Sequence, residues 1–272
     1  MNLKNRLMHA MLAFSVVAFS SCEKNDDLEV AQPELTQGSI SHIMADSVEV
    51  TSFNYQGNLL SQSNHYNKET GEVETYDLFE YNSNGQLTKA SSYSGSNNAL
   101  LSEQDYTYNE SGLLTKSNSS YYNGSSLVYS SYATYAYNAD NKLEQKSVYE
   151  VEESKEGEEE SKLKSYTTFE TLPNGNYGTE QQFVMDANNE AKLFSTTTYT
   201  YDSNINPLYS YSEPGTAISP NNVVASTVEV HGINKTYNYT FSYMYDERGY
   251  PVSQTTTAAD GKSETYTYLY SN

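Results

Sequence analysis

The sequence predicts an all-β protein, an antiparallel up-and-down meander of about 14–16 strands rolled into a closed or partly open barrel-like sheet. Three observations carry this prediction. Aromatic and hydroxyl side chains alternate with period two, polar Asn/Asp/Gly turns separate the alternating runs, and the same unit recurs along the 272 residues. Helical spacing is not sustained anywhere after the N-terminal 21 residues.

The recurring unit is best read at 106–116, where two tyrosines one residue apart precede a polar turn with Gly112 and a return run. An alternating strand, an Asn/Asp/Gly turn and a second strand form a β-hairpin. The other copies lie at 79–89, 135–143, 199–204 and 243–249.

The second aromatic residue of each unit marks the repeat, and the spacing grows from 26 to 44 residues along the chain. The markers are Tyr55, Tyr81, Tyr108, Tyr137, Phe169, Tyr201 and Tyr245. A repeat of this length usually holds one supersecondary unit, here two strands. The last gap has room for an extra hairpin, with a candidate strand at 223–230. Rolling the meander into a barrel protects its edges.

Tyrosine is the expected core residue, since the chain has 28 Tyr, 8 Phe and no Trp, and only 36% of its residues are hydrophobic. A tyrosine ring buries a large apolar area while its hydroxyl finds a partner. In 235–245 the rings fall on one face and polar residues and Met244 on the other. The predicted inward residues are Tyr237, Tyr239, Phe241, Tyr243 and Tyr245, followed by Tyr266, Tyr268 and Tyr270 in the final run.

The N-terminus reads as an export signal, with Lys4 and Arg6 before the apolar stretch Ala10 to Phe19, which is too short to span a bilayer. Small residues before Cys22, the one cysteine, resemble a bacterial lipobox, although Phe19 stands where Leu is preferred. We therefore predict a lipoprotein signal peptide at 1–21, lipidation of Cys22, an acidic tether at 22–45 and one hairpin domain at 46–272. The alternative is an ordinary secretory peptide with a chance cysteine.

Two short motifs extend this resemblance to lipoproteins. Residues 23–27 (Glu-Lys-Asn-Asp-Asp) resemble the acidic export signal of surface lipoproteins of the Bacteroidota, which implies the outer membrane, facing out. Acyl chains at Cys22 would then make the membrane a partner. Asp46-Ser47-Val48 resembles the O-glycosylation acceptor of the same bacteria, which makes Ser47 a candidate modification site.

The repeats Tyr-x-Tyr-(Asp/Asn)-x-x-Gly-x-Leu at 79–87 and 106–114 resemble the YD-type repeats of Rhs-like proteins. Together with the lipobox, they make the chain similar to an uncharacterised family of Bacteroidota lipoproteins. That family is described as a domain of unknown function with a porin-like fold, and some members are labelled lipid-binding. The resemblance implies a porin-like barrel and supplies no catalytic residues.

Charge and motifs exclude several function classes. A net charge of −20 opposes nucleic-acid binding, which needs Lys and Arg against phosphates. The four histidines fit no metal spacing, and no nucleophile elbow, phosphate loop or zinc motif is present, so we expect no catalytic residues, metal or cofactor. The Asn/Asp turns are explained by turn chemistry before calcium binding. The acidic segment 149–160 is either a solvated hairpin end or a cation- or partner-binding tip.

Three functions stay open at this stage. The first is non-enzymatic binding of a small amphipathic or glycan ligand on the tyrosine face, by residues that the sequence does not identify. The second is a structural or adhesive surface protein with a protein partner. The third, a hydrolase, predicts two close carboxylates in a cleft, one with a raised pKa. A membrane barrel is also considered, but its outer face would need Leu, Val and Phe.

Overall fold

The computed structural model describes residues 39–153, 159–209, 213–258 and 260–271. Within them lie sixteen antiparallel strands that pair in chain order and close into a barrel, which confirms the predicted meander and shows that it is fully closed. The single helical element in these ranges is the 3-10 turn His231–Ile233. In the part of the chain described, no helix has the length and apolarity needed to cross a membrane.

The strands are β1 Ile40–Ala45, β2 Val48–Gln56, β3 Leu59–Tyr66, β4 Val73–Tyr81, β5 Leu87–Ser94, β6 Leu100–Tyr108, β7 Leu114–Asn123, β8 Ser126–Tyr137, β9 Leu143–Glu153, β10 Glu159–Thr171, β11 Tyr177–Met185, β12 Ala191–Ile205, β13 Asn221–Val230, β14 Lys235–Tyr245, β15 Pro251–Thr257 and β16 Ser263–Tyr270. The candidate strand at 223–230 is therefore confirmed as part of β13.

The barrel has two ends. The turn end carries the connections 82–86, 109–113 and 138–142. The far end carries the connections that join each odd-numbered strand to the next even-numbered strand.

The barrel closes where β1 pairs with β16 on one side and β2 on the other, with Ile43 opposite Tyr268 and Thr51. This corrects the predicted boundary of the tether at residue 45, because Ile40–Ala45 is a strand. Its side chains alternate, and the buried Ile43 and Ala45 face the interior. Residues 1–38, which hold the predicted signal peptide and Cys22, lie outside the described residues.

The pairing register separates an inner and an outer face. In β14 the tyrosines and Phe241 are half-buried, whereas Thr236, Asn238, Thr240, Ser242 and Met244 are exposed, as the alternation predicted. The outward face of the neighbouring strands is also rich in hydroxyls, and these bond across strands, as in Thr227 to Asn238 (2.9 Å) and Thr255 to Thr265 (3.0 Å). The aromatic face therefore points into the barrel.

Buried apolar side chains concentrate on the inner face toward the turn end. One cluster comprises Leu87, Tyr106, Leu114, Ala133, Tyr135, Leu143 and Tyr177. The other comprises Ile40, Ile43, Phe53, Leu60 and Tyr268. Phe79 packs against both clusters, so they form one apolar layer across this end of the barrel.

The repeated tyrosine has a specific structural role. Near the end of an even-numbered strand, a tyrosine hydroxyl donates a hydrogen bond to a backbone carbonyl near the start of the preceding strand. Seven such bonds occur in the described residues: Tyr55 to Ile40 (2.6 Å), Tyr81 to Leu60 (2.9 Å), Tyr108 to Leu87 (2.7 Å), Tyr137 to Leu114 (3.0 Å), Tyr201 to Tyr177 (2.6 Å), Tyr243 to Val223 (2.9 Å) and Tyr270 to Pro251 (2.6 Å). We call them tyrosine latches. Burial raises the pKa of Tyr81 to about 12, so its phenol remains a donor even in mildly alkaline solution.

One predicted marker keeps its register without forming a latch, and another needs correction. Tyr245 pairs with Pro251 as Tyr108 pairs with Leu114, but its hydroxyl donates to Asp202, and the latch in the β13–β14 hairpin comes from Tyr243. In β10 the register aligns Thr171 with Tyr108, because Thr171 pairs with Tyr177 as Tyr108 pairs with Leu114. Threonine is too short to form the latch. Its Oγ1 is the one buried side-chain polar atom in the described residues that has no hydrogen-bond partner.

The Asn/Asp turns follow one hydrogen-bonding pattern. The Asn109 Oδ1 accepts the backbone N–H groups of Ser111 and Leu113, both at 3.0 Å, and Gly112 takes a positive φ of 80°. Asn82, Asn138, Asp186 and Asp246 accept the equivalent pairs. These bonds are the ones that turn chemistry predicts for Asn and Asp. Among the described residues, no group of three or more His, Cys, Asp or Glu side chains is arranged to hold a metal ion.

We predict opposite effects for two substitutions in this ring of latches. Tyr108→Phe removes a donor to a partly buried carbonyl and should lower the free energy of unfolding by about 1–2 kcal/mol. Thr171→Val removes a buried hydroxyl that has no partner and should be neutral or stabilising by about 1 kcal/mol. Urea unfolding of both, with the outer-wall Tyr132→Phe as control, measures the difference. Equal losses in Tyr108→Phe and Tyr132→Phe would contradict the role of the latch.

Candidate ligand-binding lumen

The connection between β12 and β13, of which residues 206–209 and 213–220 are described, lies at the turn end of the barrel. Its Leu208 packs against the cluster around Ile40, and its Ala217 packs against the cluster around Tyr106. These clusters lie on opposite sides of β12 around the barrel, so the connection reaches across the lumen. We call it the plug loop. It accounts for the long gap between the last two markers, and the predicted extra hairpin there is wrong.

The plug loop is long enough to cross the lumen, whereas the far-end connections are too short to cross it. Sixteen strands spaced about 4.8 Å apart and tilted by about 40° make a round barrel roughly 30 Å across, too wide for side chains alone to fill. The strand bounds leave two to six residues for each far-end connection. The far half of the lumen is therefore not crossed by any of those connections.

A satisfied polar network holds the base of the plug loop. Asn176, which is wholly buried, donates to Asn221 (3.0 Å), and Asn221 donates to the Asn204 carbonyl (3.0 Å). Ser219 accepts the backbone N–H of Tyr177 (3.0 Å) and donates to the Tyr201 hydroxyl (2.8 Å). The loop is thus bonded to β11 and β12 at its base and packed on apolar residues at its centre.

The inner wall of the far half is polar and aromatic. Tyr121 and Tyr129 lie side by side there, with ring centroids 5.9 Å apart, and Tyr121 is 39% exposed although its strand position faces inward. Tyr237 and Tyr239 are half-buried on the same face. The register surrounds them with Ser92, Ser102, Ser119, Ser131, Thr167, Gln182 and Thr197. Solvent therefore reaches tyrosine rings inside the barrel.

Two carboxyl groups inside the barrel each accept a tyrosine hydroxyl. Glu213, on the plug loop, accepts from Tyr106 (2.7 Å), and Glu180, on β11, accepts from Tyr199 (3.1 Å). Burial raises the pKa of both carboxyls, and the positive charge of Lys146 partly offsets this rise in each. Lys146 faces inward opposite Tyr135 on one side and Thr167 on the other. Its ammonium sits 5.8 Å from the centroid of the Tyr135 ring.

A third acidic group belongs to the same neighbourhood. Asp77 bonds His65 (2.7 Å) and accepts from Ser63 (3.0 Å). Burial alone would raise the pKa of Asp77, but the hydrogen bond and charge of His65 lower it below its usual value. The charge of Asp77 in turn contributes to the raised pKa of Glu213. The lumen thus holds several acids together with Lys146.

The sites predicted from sequence fall elsewhere. Ser47 is exposed at the tip of the β1–β2 hairpin with φ of 71°, next to Asp46, which is bonded to Lys68 (2.8 Å). Of the acidic segment 149–160, residues 149–153 end β9 and residues 159–160 begin β10, while residues 154–158 lie outside the described residues. Cys22 lies outside the described residues.

The lumen residues were not identified from the sequence. Glu180 and Lys146 stand in strands with no motif around them. The plug loop did carry a signal, because it holds three of the six prolines of the chain in a stretch with no alternation. A connection of that length in a compact domain is usually functional.

No protein-family model matches the chain, and no curated protein does. Among solved structures, the chain is similar to a porin-like protein from Bacteroides vulgatus ATCC 8482, with a TM-score of 0.53, 11% identity, and 85% of this chain and 98% of that one covered. A porin-like protein from Bacteroides uniformis ATCC 8492 gives a TM-score of 0.46 at 15% identity, covering 88% and 100%. A protein of unknown function from Bacteroides fragilis NCTC 9343 gives 0.35 at 14%, covering 53% and 99%.

The strand topology and the likeness to the Bacteroides vulgatus structure define the fold class and no more. The chain is a sixteen-stranded closed antiparallel barrel. The likeness to the Bacteroides vulgatus structure shows, at 11% identity, a porin-like fold and not an activity. The other two likenesses have TM-scores below 0.5 and add nothing to this argument.

We predict that Gly215→Ala displaces the plug loop. Gly215 has φ of +82°, and a Cβ there would lie 2.2 Å from the Tyr135 ring. Strain and overlap should together lower the free energy of unfolding by about 2–4 kcal/mol. Gly57→Ala is the matched control, since its φ is +62° with no atom within 4 Å, and it should cost about 1 kcal/mol. Urea unfolding measures both, and equal costs would contradict the packed plug.

Proposed function

We propose that this protein is a lipid-anchored surface protein whose barrel binds a small ligand inside its far half, without catalysing a reaction. One observation carries the proposal: the lumen is crossed by the plug loop at one end, while solvent-accessible tyrosines and unpaired polar capacity line the other. Concave sites with aromatic walls and a few convergent polar groups are where proteins bind small molecules. A structural or adhesive protein has no need of such an interior.

The polar composition of the outer wall supports the proposal that the barrel stands in water. Outward positions on β13 to β16 include Thr227, Asn238, Thr240, Ser242 and Thr255. A membrane barrel presents an apolar band about 25 Å tall to the lipid. Exposed apolar residues such as Leu78 on β4, Leu127 on β8 and Met244 on β14 are separated from one another by several strands. We therefore assign membrane attachment to the N-terminus and not to the wall.

The lumen proposal is tested with tryptophan reporters, because the chain contains no Trp. Tyr239→Trp places a reporter inside the barrel, and Thr240→Trp places one on the outer wall of the same strand. At least one member of a glycan panel or a fatty-acid panel should change the fluorescence of the inner reporter and leave the outer one unchanged. A response of the outer reporter alone, or of neither, would contradict lumenal binding. Release of reducing ends from a glycan would show that the protein hydrolyses it and would contradict binding without catalysis.

The anchor makes a separate prediction. Cys22→Ser should move the protein from the detergent phase to the aqueous phase in Triton X-114 partition, because the acyl chains attach to that sulfur. Phe19→Leu is the matched control and should keep the protein in the detergent phase. If the wild type is aqueous and its N-terminal peptide has an unmodified mass, the ordinary secretory peptide is correct.

A further inference from the structure

We infer that the lumenal ligand is a neutral, hydroxyl-rich molecule, an oligosaccharide, bound between Lys146, Glu180 and Glu213 and stacked on Tyr121. The inference rests on the proposed lumenal binding and selects one of the two ligand classes that the sequence left open. Four steps lead to it.

The first step is the unused hydrogen-bonding capacity of the three charged groups. Tyr106 bonds Oε1 of Glu213, and Tyr199 bonds Oε2 of Glu180, so each carboxylate keeps one oxygen that no described residue bonds. The Lys146 ammonium has three donors, and among the described residues its one direct contact is the Tyr135 ring. The site therefore offers donors and acceptors side by side. A sugar hydroxyl both donates and accepts, and it satisfies both kinds of group.

The second step is the position of an aromatic face beside these groups. Tyr121 lies on the inner face of β7, the face that also carries Ser117, and Ser117 is the register partner of the Tyr106 that bonds Glu213. The charge of Glu213 adds to the effect of burial in raising the pKa of Tyr121. Tyr121 is 39% exposed within the lumen and tilted by 45° to Tyr129. Tyr121 thus offers an accessible ring surface on the same inner face as the residue that holds Glu213. The C–H face of a pyranose ring packs on such a surface while its hydroxyls reach the polar groups.

The third step excludes an anionic ligand such as a fatty acid. A second lysine at this wall, Lys164, is already paired with inward-facing Glu150. Asp77 and Glu180 share the inner face with Lys146, Glu213 bonds Tyr106 on the same face, and the whole chain carries a net charge of −20. A carboxylate or phosphate brought to Lys146 would face these like charges in a partly desolvated site. A neutral ligand meets no such repulsion.

The fourth step excludes an acyl chain. The inner wall of the far half is mostly serine, threonine, glutamine and tyrosine, with a minority of inward valines such as Val184 and Val228, whereas the aliphatic residues of the two buried clusters lie under the plug loop. An acyl chain would desolvate hydroxyls and amides without bonding them, which is unfavourable. Outside the barrel, the stacked pairs Tyr132–Tyr149 (4.8 Å) and Tyr166–Phe183 (4.7 Å) cover each other's ring faces and offer a sugar less surface.

The test titrates the Tyr239→Trp barrel with maltohexaose, cellohexaose, xylohexaose and mannohexaose, and in separate arms with sodium palmitate, hexagalacturonate and spermidine. We expect at least one neutral hexaose to change the fluorescence and none of the three other probes to do so. Lys146→Met and Glu180→Gln should each weaken that binding about 10–100-fold, as expected for hydrogen bonds to charged groups. Tyr121→Ala should weaken it about tenfold.

Matched controls lie on the surface. Lys192→Met and Glu110→Gln remove the same charges at exposed positions and should leave binding unchanged, and circular dichroism verifies that each variant is folded. Binding of palmitate, hexagalacturonate or spermidine without any hexaose would overturn the oligosaccharide inference and leave lumenal binding standing. Hexaose binding that is insensitive to Lys146→Met and Glu180→Gln would overturn the assigned site. No response to any probe would count against both the inference and the proposed function.

Discussion

The hydrogen bond from a tyrosine hydroxyl to a carbonyl of the preceding strand is the interaction on which the rest of this barrel depends. A sheet of sixteen strands has many registers open to it, and a slip by one residue would turn every inward ring to the solvent. In each latch, a rigid tyrosine side chain fixes the position of one strand relative to its neighbour. Because burial keeps the phenol protonated, the latch persists into mildly alkaline solution. Individually the bonds are worth about 1 kcal/mol, but together they fix the register around the wall.

The latches also explain how a chain with few aliphatic residues fills one end of a wide barrel. The tyrosines bring their rings inward at the same level as Leu87, Leu114 and Leu143, and their hydroxyls are used on carbonyls that would otherwise be buried without a partner. Side chains alone do not span sixteen strands, and the plug loop provides the missing volume. Beyond that layer the wall is hydrated, which is why Lys146, Glu180 and Glu213 are tolerated inside the barrel.

The all-β meander and the inward direction of the rings were predictable, because alternation and turn residues are local properties of the sequence. The role of each tyrosine was not. Tyr243 and Tyr245 look equivalent in the sequence, and the choice between them depends on Asp202, which lies on another strand. Phe169 was taken for a marker because it is aromatic, although the register gives that position to Thr171. The lumenal cluster combines residues from β9, β11 and the plug loop, and no short motif reports such a long-range arrangement.

The closure of the barrel also determines which way its mouth faces. Ser271 donates its backbone N–H to the Ser39 carbonyl (2.8 Å), so the chain enters and leaves the barrel side by side at the plugged end. If acyl chains hold Cys22 in a leaflet, the anchored N-terminal segment joins the barrel at its plugged end. The barrel would then stand with its plugged end toward the bilayer and its open end toward the medium, where an extracellular sugar reaches the open end before it reaches the membrane.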